Sequence, residues 1–505
     1  MPGGLRQRQN TEKHIIGFAV NKSLSSLRAR TVRNISYTGI AYLLALVLNF
    51  VAMAILARFL TPADFGIVAS AMIVVNLLYA VQDFGITPAI VQRDRRIEDS
   101  IRVGISVRVV AAISMALVAV AVSPLVSDAF DQPEITLVLI VLSMNLIVLT
   151  TAFSSQVSLT RSLRFRELSV ATASQYLAFS AVSLALAWSG QSYWSLVIGY
   201  VSGTVTFAAV LRYYGNPRLK PLLDKDLRRE LLAFGKHLLV TSLMAYAVFN
   251  VDQLAIAWVI GAEALGIYYV AVRFGRIIGE QISAVVNRVL FPTMARIKED
   301  LVRLKSGYVL SLRMITMCIV PLSLGLSALS EVFVDSVLGV TWVKAVFPLT
   351  VLSIQGLLNA LVTPAGNVLV SIGKPRYMSI QTSVQALLLI ALIYPVALYY
   401  GIDGVCILTT LLSLGVLVFF VILLPSVLSS TMRELYGPLL RPLASGGAMF
   451  VILVVLADLV EHTLPMLVLL AVLGLCIYIG LIYITSRGRD IRDFIDLFVV
   501  MRSGQ

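Results

Sequence analysis

Apolar runs of about 20 residues recur along the whole chain, each long enough to cross about 30 Å of hydrocarbon as an α-helix. Such a chain must satisfy its backbone polar groups within its own segments, which leaves helices or a closed barrel. A barrel would show alternating segments of about ten residues, and the sequence has none. Composition agrees: mean hydropathy is +0.90, and 13% of residues are charged, against roughly 25% in soluble domains. The expected fold is an all-α polytopic membrane protein. Residues 1–33 are basic and polar with no early apolar core, so no cleavable signal peptide is expected.

Apolar windows place about fourteen transmembrane helices near 34–57, 64–90, 104–127, 135–158, 168–188, 192–211, 237–259, 264–288, 310–330, 345–371, 377–399, 403–426, 443–460 and 465–485. Basic residues mark every second loop: the N-terminal tail from Arg6 to Arg33, then Arg93 to Arg102, Arg161 to Arg166, Arg212 to Lys236, Arg288 to Arg313, Lys374 and Arg376, Arg433 and Arg441, and Arg487 to Arg502. The loops between carry Asp64, Asp128, Asp131, Glu134, Glu263, Glu331 and Asp335 instead. Cytoplasmic loops hold the excess of Lys and Arg, so both termini are expected in the cytoplasm. The same rule explains the net charge of +13, with an added attraction to anionic membrane lipids and no call for nucleic acid. Cys318, Cys406 and Cys476 lie within apolar runs and read as small core residues. His14, His237 and His462 are scattered, and no cluster has metal-ligand spacing along the chain. Ile491, Ile495 and Phe498 fall at helical spacing in a C-terminal stretch that could lie on the inner surface.

Arg273, Arg276 and Glu280 stand inside the eighth span. From its outer end near Ala264 they lie roughly 14, 18 and 24 Å deep at 1.5 Å per residue. Ionisable groups at the bilayer centre cost at least about 2.5–3.5 kcal/mol and face a partner or a water-filled cavity. Spacings of three, four and seven put the three residues, and Asn287 beyond them, on one helical face. A guanidinium donates paired hydrogen bonds to phosphate oxygens, so Arg273 and Arg276 are candidate ligands of a diphosphate, with Glu280 orienting Arg276 or releasing the ligand. The competing reading is an Arg276–Glu280 pair that knits helices together. Asp252, flanked by Asn250 and Gln253 in the seventh span, is a counter-ion for Arg273, a site for a coupling cation, or a wet helix-end carboxylate. Asp83 reads as an interfacial carboxylate. Gln355 and Asn359, four residues apart, are candidate sugar contacts, and Trp194 and Trp342 read as interfacial anchors.

The segment Leu56–Met72 repeats in Leu254–Val272, with Phe65-Gly66-Ile67 opposite Leu265-Gly266-Ile267, 200 residues on. An even number of spans separates the copies, so two six-helix lobes in parallel repeat are expected, with two C-terminal helices added. The expected division is a basic tail 1–33, an N-lobe 34–211, a basic linker 212–236, a C-lobe 237–428, two further spans within 429–485 and a tail 486–505.

The stretch Ile55–Arg93 also resembles the signature of Wzx-type polysaccharide transporters, close to the colanic-acid branch, within the multidrug/oligosaccharidyl-lipid/polysaccharide exporter superfamily. Thr61 to Gly66 and the entry Gly85…Val91-Gln92-Arg93 carry the resemblance. It implies an inner-membrane flippase that moves undecaprenyl-diphosphate-linked oligosaccharide outward for exopolysaccharide or lipopolysaccharide biosynthesis. It also raises a polysaccharide polymerase and export machinery as partners. Alternating access about a midplane site is the expected mechanism. No GxxxxGK[ST] loop is present, and neither an enzyme nor a cofactor is expected. The rivals are a cation-coupled exporter of amphipathic drugs, which would need an acidic cavity, and a membrane glycosyltransferase or polymerase, which would need sizeable outer loops.

Overall fold

The computed structural model describes residues 45–486 except 46, 92, 94, 163, 216–219, 277, 278, 282 and 284–299, and gives the backbone alone for 234, 236–238, 240, 241, 245 and 247–249. The two tails, the start of the first expected span, Asn287 and the 489–502 stretch lie outside the described residues.

The described chain is helical, with no strand among the described residues. The short apolar helix α1 (Val47–Phe59) is followed by α2 (Pro62–Asp83), α3 (Ile86–Val91), α4 (Ile97–Ala129), α5 (Glu134–Arg161), α6 (Phe165–Trp188) and α7 (Trp194–Tyr214). Next come α8 (Lys225–Val259), α9 (Ala262–Ala271), α10 (Leu301–Ala328), α11 (Val346–Ser371), α12 (Arg376–Val427), α13 (Leu440–Ala457) and α14 (Leu464–Ser486). Ten of the described helices are long and apolar enough to cross a membrane, and the chain is a multi-pass membrane protein. Four spans separate ten from the fourteen expected, and one of them is the seventh, which falls in α8 and is not among the ten. The first span begins outside the described residues, and the eighth runs into others that also lie outside them. The expected eleventh and twelfth spans form the single 52-residue trace of α12, which turns at Gly401 (φ 63°, ψ −150°).

Helix ends follow side-chain chemistry. Thr61 caps α2 in a capping box: its hydroxyl accepts from Asp64 N–H, while Asp64 accepts from Thr61 N–H at 2.8 Å. The other carboxylate oxygen of Asp64 accepts from Ser192 Oγ and from Tyr193 N–H at 3.1 Å, which ties the start of α2 to the turn before α7. The second span stops early, at Asp83, because Phe84 and Gly85 both adopt positive φ, and α3 restarts as a separate turn. Arg161 Nη1 donates to the carbonyls of Ile90, Val91 and Arg93 at 2.7, 2.9 and 2.5 Å, satisfying the end of α3. Helix α8 starts at Lys225, inside the stretch expected as linker, because Asp224 caps it through Leu227 N–H at 2.9 Å.

The two repeat copies pack on one another. A Cβ placed on Gly66 would fall 1.8 Å from the carbonyl oxygen of Ala262, and one placed on Gly266 would fall 1.8 Å from that of Pro62. The contacts are reciprocal at the same 200-residue offset, and only glycine permits backbones so close. Around this crossing, Trp342 is 0% exposed. Its Nε1 donates to Ala57 O at 2.8 Å, and its ring meets Phe65 edge-on at 5.3 Å. The expectation of an interfacial anchor at Trp342 is therefore corrected: this indole is core, with its one donor satisfied. Arg58 donates from Nε to Val337 O at 2.7 Å and from Nη2 to Ser336 O, holding α1 against the irregular helical stretch 334–345.

Candidate functional site

Helix α9 does not continue as a regular α-helix. Residues Val272–Arg276 form a π-helical turn, which widens the helix by one residue per turn and is frequent at functional positions. The single face expected for Arg273, Arg276 and Glu280 is consequently split. Gly275 lies against the backbone of Leu352 and Ser353, and Gly279 against that of Gly356, so the segment is clamped on α11.

Arg276 faces into the C-terminal half. Its Nη1 donates to Asp252 Oδ2 at 3.3 Å, and Glu280 Oε1 stands 3.5 Å from Nε, in ion-pair range without hydrogen-bond alignment. Asp252 also accepts from Tyr268 Oη at 2.6 Å and from Gln253 N–H at 2.8 Å. Of the counter-ion readings for Asp252, the geometry pairs it with Arg276 and not with Arg273. Glu280 is the open member of the group, its side chain 43% exposed against 4% for Asp252.

These three residues line a cavity of about 520 Å³ between α8, the α9 extension, α11 and α12. Gln355, Asn359, Gln381, Gln385, Thr409 and Ser413 supply most of its remaining polar wall. Gln355 Nε2 reaches Ser413 Oγ at 3.4 Å while its Oε1 is buried without a partner, and Gln381 Nε2 donates to Gln385 Oε1 at 2.9 Å. Gln355 and Asn359, the candidate sugar contacts, both stand on its wall. Asn250 and Gln253 do not line it; Asn250 Nδ2 is turned back to Tyr246 O at 2.8 Å. Among the described residues the ionisable lining is two carboxylates, Asp252 and Glu280, against one guanidinium, Arg276.

Arg273 lies outside this cavity lining. Its guanidinium carbon is 5.9 Å from the centroid of Tyr269, one turn back, and it faces the phenols of Tyr200 and Tyr176. The Tyr200 and Tyr269 hydroxyls are 2.9 Å apart. Arg273 Nε is buried with no hydrogen-bond partner, and no carboxylate lies in ion-pair range of Arg273 among the described residues. The sequence signal for this group is tyrosine inside apolar spans, at Tyr176, Tyr200 and Tyr269.

Arg273 and Arg276 are joined by a further deep arginine. Arg108, three turns into α4, is 3% exposed. It donates to Asp83 Oδ1 at 2.6 Å and to Thr87 Oγ1 at 3.2 Å. Asp83 is therefore an ion-pair partner and not simply a wet carboxylate. The fold also brings Glu331, Asp335 and His462 together, with ligand-type atoms within 4.8 Å of one another. His462 Nδ1 and Asp335 Oδ2 already share a hydrogen bond of 2.7 Å, which ties the turn before α14 to the irregular helical stretch 334–345.

A multi-helix membrane body with paired glycine crossings and a charged cavity within the bilayer defines a membrane transporter fold. Its backbone superposes on the lipid II flippase MurJ in its inward closed conformation with a TM-score of 0.74, covering 89% of this chain and 98% of that one at 13% identity. Residues 55–347, more than half of the chain, match the family described as polysaccharide biosynthesis protein, and the chain belongs to that family. Among its relatives, the lipopolysaccharide biosynthesis protein WzxC of Escherichia coli (strain K12) is 25% identical over 354 residues, 68% of this chain and 71% of WzxC. The succinoglycan biosynthesis transport protein ExoT of Rhizobium meliloti (strain 1021) is 27% identical over 344 residues, 67% and 68% of the two chains.

Proposed function

We propose that the chain is a flippase that carries lipid-linked oligosaccharide, built on undecaprenyl diphosphate, across the bacterial inner membrane for polysaccharide biosynthesis. The names of its relatives and the MurJ-like fold support transport of such a cargo. The observation that carries the reading is Arg273: a guanidinium inside the membrane whose Nε is buried without a partner and which has no carboxylate beside it among the described residues. In low dielectric an uncompensated cation is costly, and a phosphate oxyanion supplies the missing charge and acceptors.

Arg276 then has a different part. Held by Asp252 and Glu280, it is already more than neutralised, and it forms the charged floor of an amide-lined cavity suited to sugar hydroxyls or to a coupling cation that competes with it for the carboxylates. The N-lobe, residues 34–211, and the C-lobe, 237–428, are the bodies that would rock about the Gly66–Gly266 crossing, with both termini cytoplasmic. A polysaccharide polymerase and export machinery would take the product on the far side. The chain acts as a transporter and not as an enzyme.

The two-to-one excess of carboxylates in the cavity favours one second reading, export of an amphipathic cation. Proteoliposomes holding the purified protein separate the two. Transfer of lipid-linked oligosaccharide, lost in Arg273→Ala, supports the flippase. Transfer of a cationic dye with no movement of the lipid-linked sugar, and no effect of Arg273→Ala, removes it.

A further inference from the structure

Tyr200 sits in α7 of the N-terminal half and Tyr269 in α9 of the C-terminal half, and their hydroxyls share a hydrogen bond of 2.9 Å. Tyr200 is itself braced by Phe179 of α6, ring centroids 4.7 Å apart. Two phenols bonded to each other use one proton; the accepting phenol keeps a second O–H to give. Arg273 stands one helical turn beyond Tyr269 with its cation against that ring, and its Nε has no partner. The cluster thus gathers a fixed cation and two phenol donors, with no carboxylate in ion-pair range among the described residues. Charge-assisted hydrogen bonds to an oxyanion are stronger than a phenol–phenol bond, and in this part-buried site the difference is screened less than in water.

From this juxtaposition we infer that Tyr200 and Tyr269 are further ligands of the diphosphate held by Arg273, and that together they form a ligand-sensitive clasp between the two halves. Without ligand the phenols bond to each other and hold α7 against α9. A phosphate seated on Arg273 accepts from both O–H groups and removes that tie. Each phenol turns through a single C–O torsion, so the exchange needs no large side-chain movement. Cargo arrival and release of the two halves then become one event, because the ligand binds the unclasped arrangement with one more hydrogen bond than the clasped one, in which only the accepting phenol has a proton to give; a ligand shifts an equilibrium only through such a difference. The clasp rests on the placing of the diphosphate at Arg273 proposed above.

The test uses full-length protein with its three cysteines replaced by serine and spin labels at the exposed positions Gln191 and Glu263, just before α7 and at the start of α9. Distances are recorded with and without geranyl diphosphate, and binding of the same probe is measured in parallel, with inorganic pyrophosphate as the headgroup alone. Tyr200→Phe and Tyr269→Phe are expected to weaken geranyl diphosphate at least fivefold each, and to populate the separated distance before any ligand is added. In the unsubstituted tyrosine pair, geranyl diphosphate shifts the distance, and pyrophosphate does the same at higher concentration. Thermal midpoints of both variants check that they remain folded. Binding that needs Arg273 but leaves the distance unmoved, or Phe variants that bind and respond like the parent, overturns the clasp while sparing the flippase reading. Binding indifferent to Arg273→Gln overturns both.

Discussion

Arg108–Asp83 in the N-terminal half and Arg276–Asp252 in the C-terminal half are both guanidinium–carboxylate pairs inside the membrane, and their surroundings differ in kind. Arg108 is 3% exposed, capped by the Phe153 ring at 4.7 Å and flanked by Tyr79, and its carboxylate also takes a bond from Thr87 at 2.6 Å. Its Nε is buried without a hydrogen-bond partner, but the carboxylate of Asp83 neutralises the cation. Arg276 has a longer contact with Asp252, 3.3 Å against 2.6 Å, and shares it with an exposed Glu280 on the wall of a cavity. A sealed pair stabilises one arrangement of helices. A stretched pair on a cavity, with a surplus carboxylate, can exchange partners. Burial of charge alone therefore does not mark a site; among the described residues a missing or surplus carboxylate does, as at Arg273 and Glu280.

Four substitutions test that contrast. Arg108→Ala leaves Asp83 inside the membrane without its cation, and breaking such a pair costs about 3–5 kcal/mol; thermal unfolding in detergent should show it, with much of the loss recovered in Arg108→Ala/Asp83→Ala. Arg276→Ala should cost far less stability, since its carboxylates meet a cavity, yet lower transfer of lipid-linked sugar at least about tenfold, roughly 1.4 kcal/mol in the barrier. Equal stability losses at the two arginines would erase the distinction between them. Phe153→Leu removes the ring over Arg108 and should cost about 1 kcal/mol in the same unfolding assay without touching transport kinetics.

The smallest effect is expected at the exposed end of α8. There Asp224 caps α8 and meets Arg96 at 2.7 Å, and these bonds, first the backbone N–H of Leu227 and then Arg96, hold its carboxyl below the ordinary range. A folded-state pKa below the unfolded value, about 3.9, contributes stability that is fully present above that pH and is lost as pH falls through the depressed value. Asp224→Asn should flatten the acid limb of the stability profile slightly and leave the neutral region nearly unchanged; a large change at neutral pH would show the surface pair to matter as much as the buried ones.

Much of the architecture could be read before any coordinates. Hydropathy found the helices because the bilayer fixes their length, and the Phe65-Gly66-Ile67 repeat pointed to a symmetric pair, since a glycine held under a neighbouring backbone leaves a sequence trace. The amide stripe of Gln355 and Asn359 was visible because regular α-helical spacing holds through α11. The same regularity misled at Arg273 and Arg276: the π-helical turn at Val272–Arg276 rotates one away from the other, and no residue type announces such a turn. Partnerships across the chain were hidden for the same reason. Arg108 follows closely on the basic loop Arg93 to Arg102 and Asp83 reads as an interfacial carboxylate, and only the packing of two neighbouring helices sets them 2.6 Å apart. Trp342 looked like a belt residue because its span end is near, whereas the glycine crossing draws the outer ends of the helices together and buries it.

Everything functional in this account turns on where the diphosphate sits. The direct measurement is an experimental structure of the protein with geranyl diphosphate bound. Phosphate oxygens within hydrogen-bond distance of Arg273, with Arg276 still paired to Asp252, are the expected result. A diphosphate lodged in the amide-lined cavity on Arg276, with Arg273 untouched against Tyr269, would contradict it.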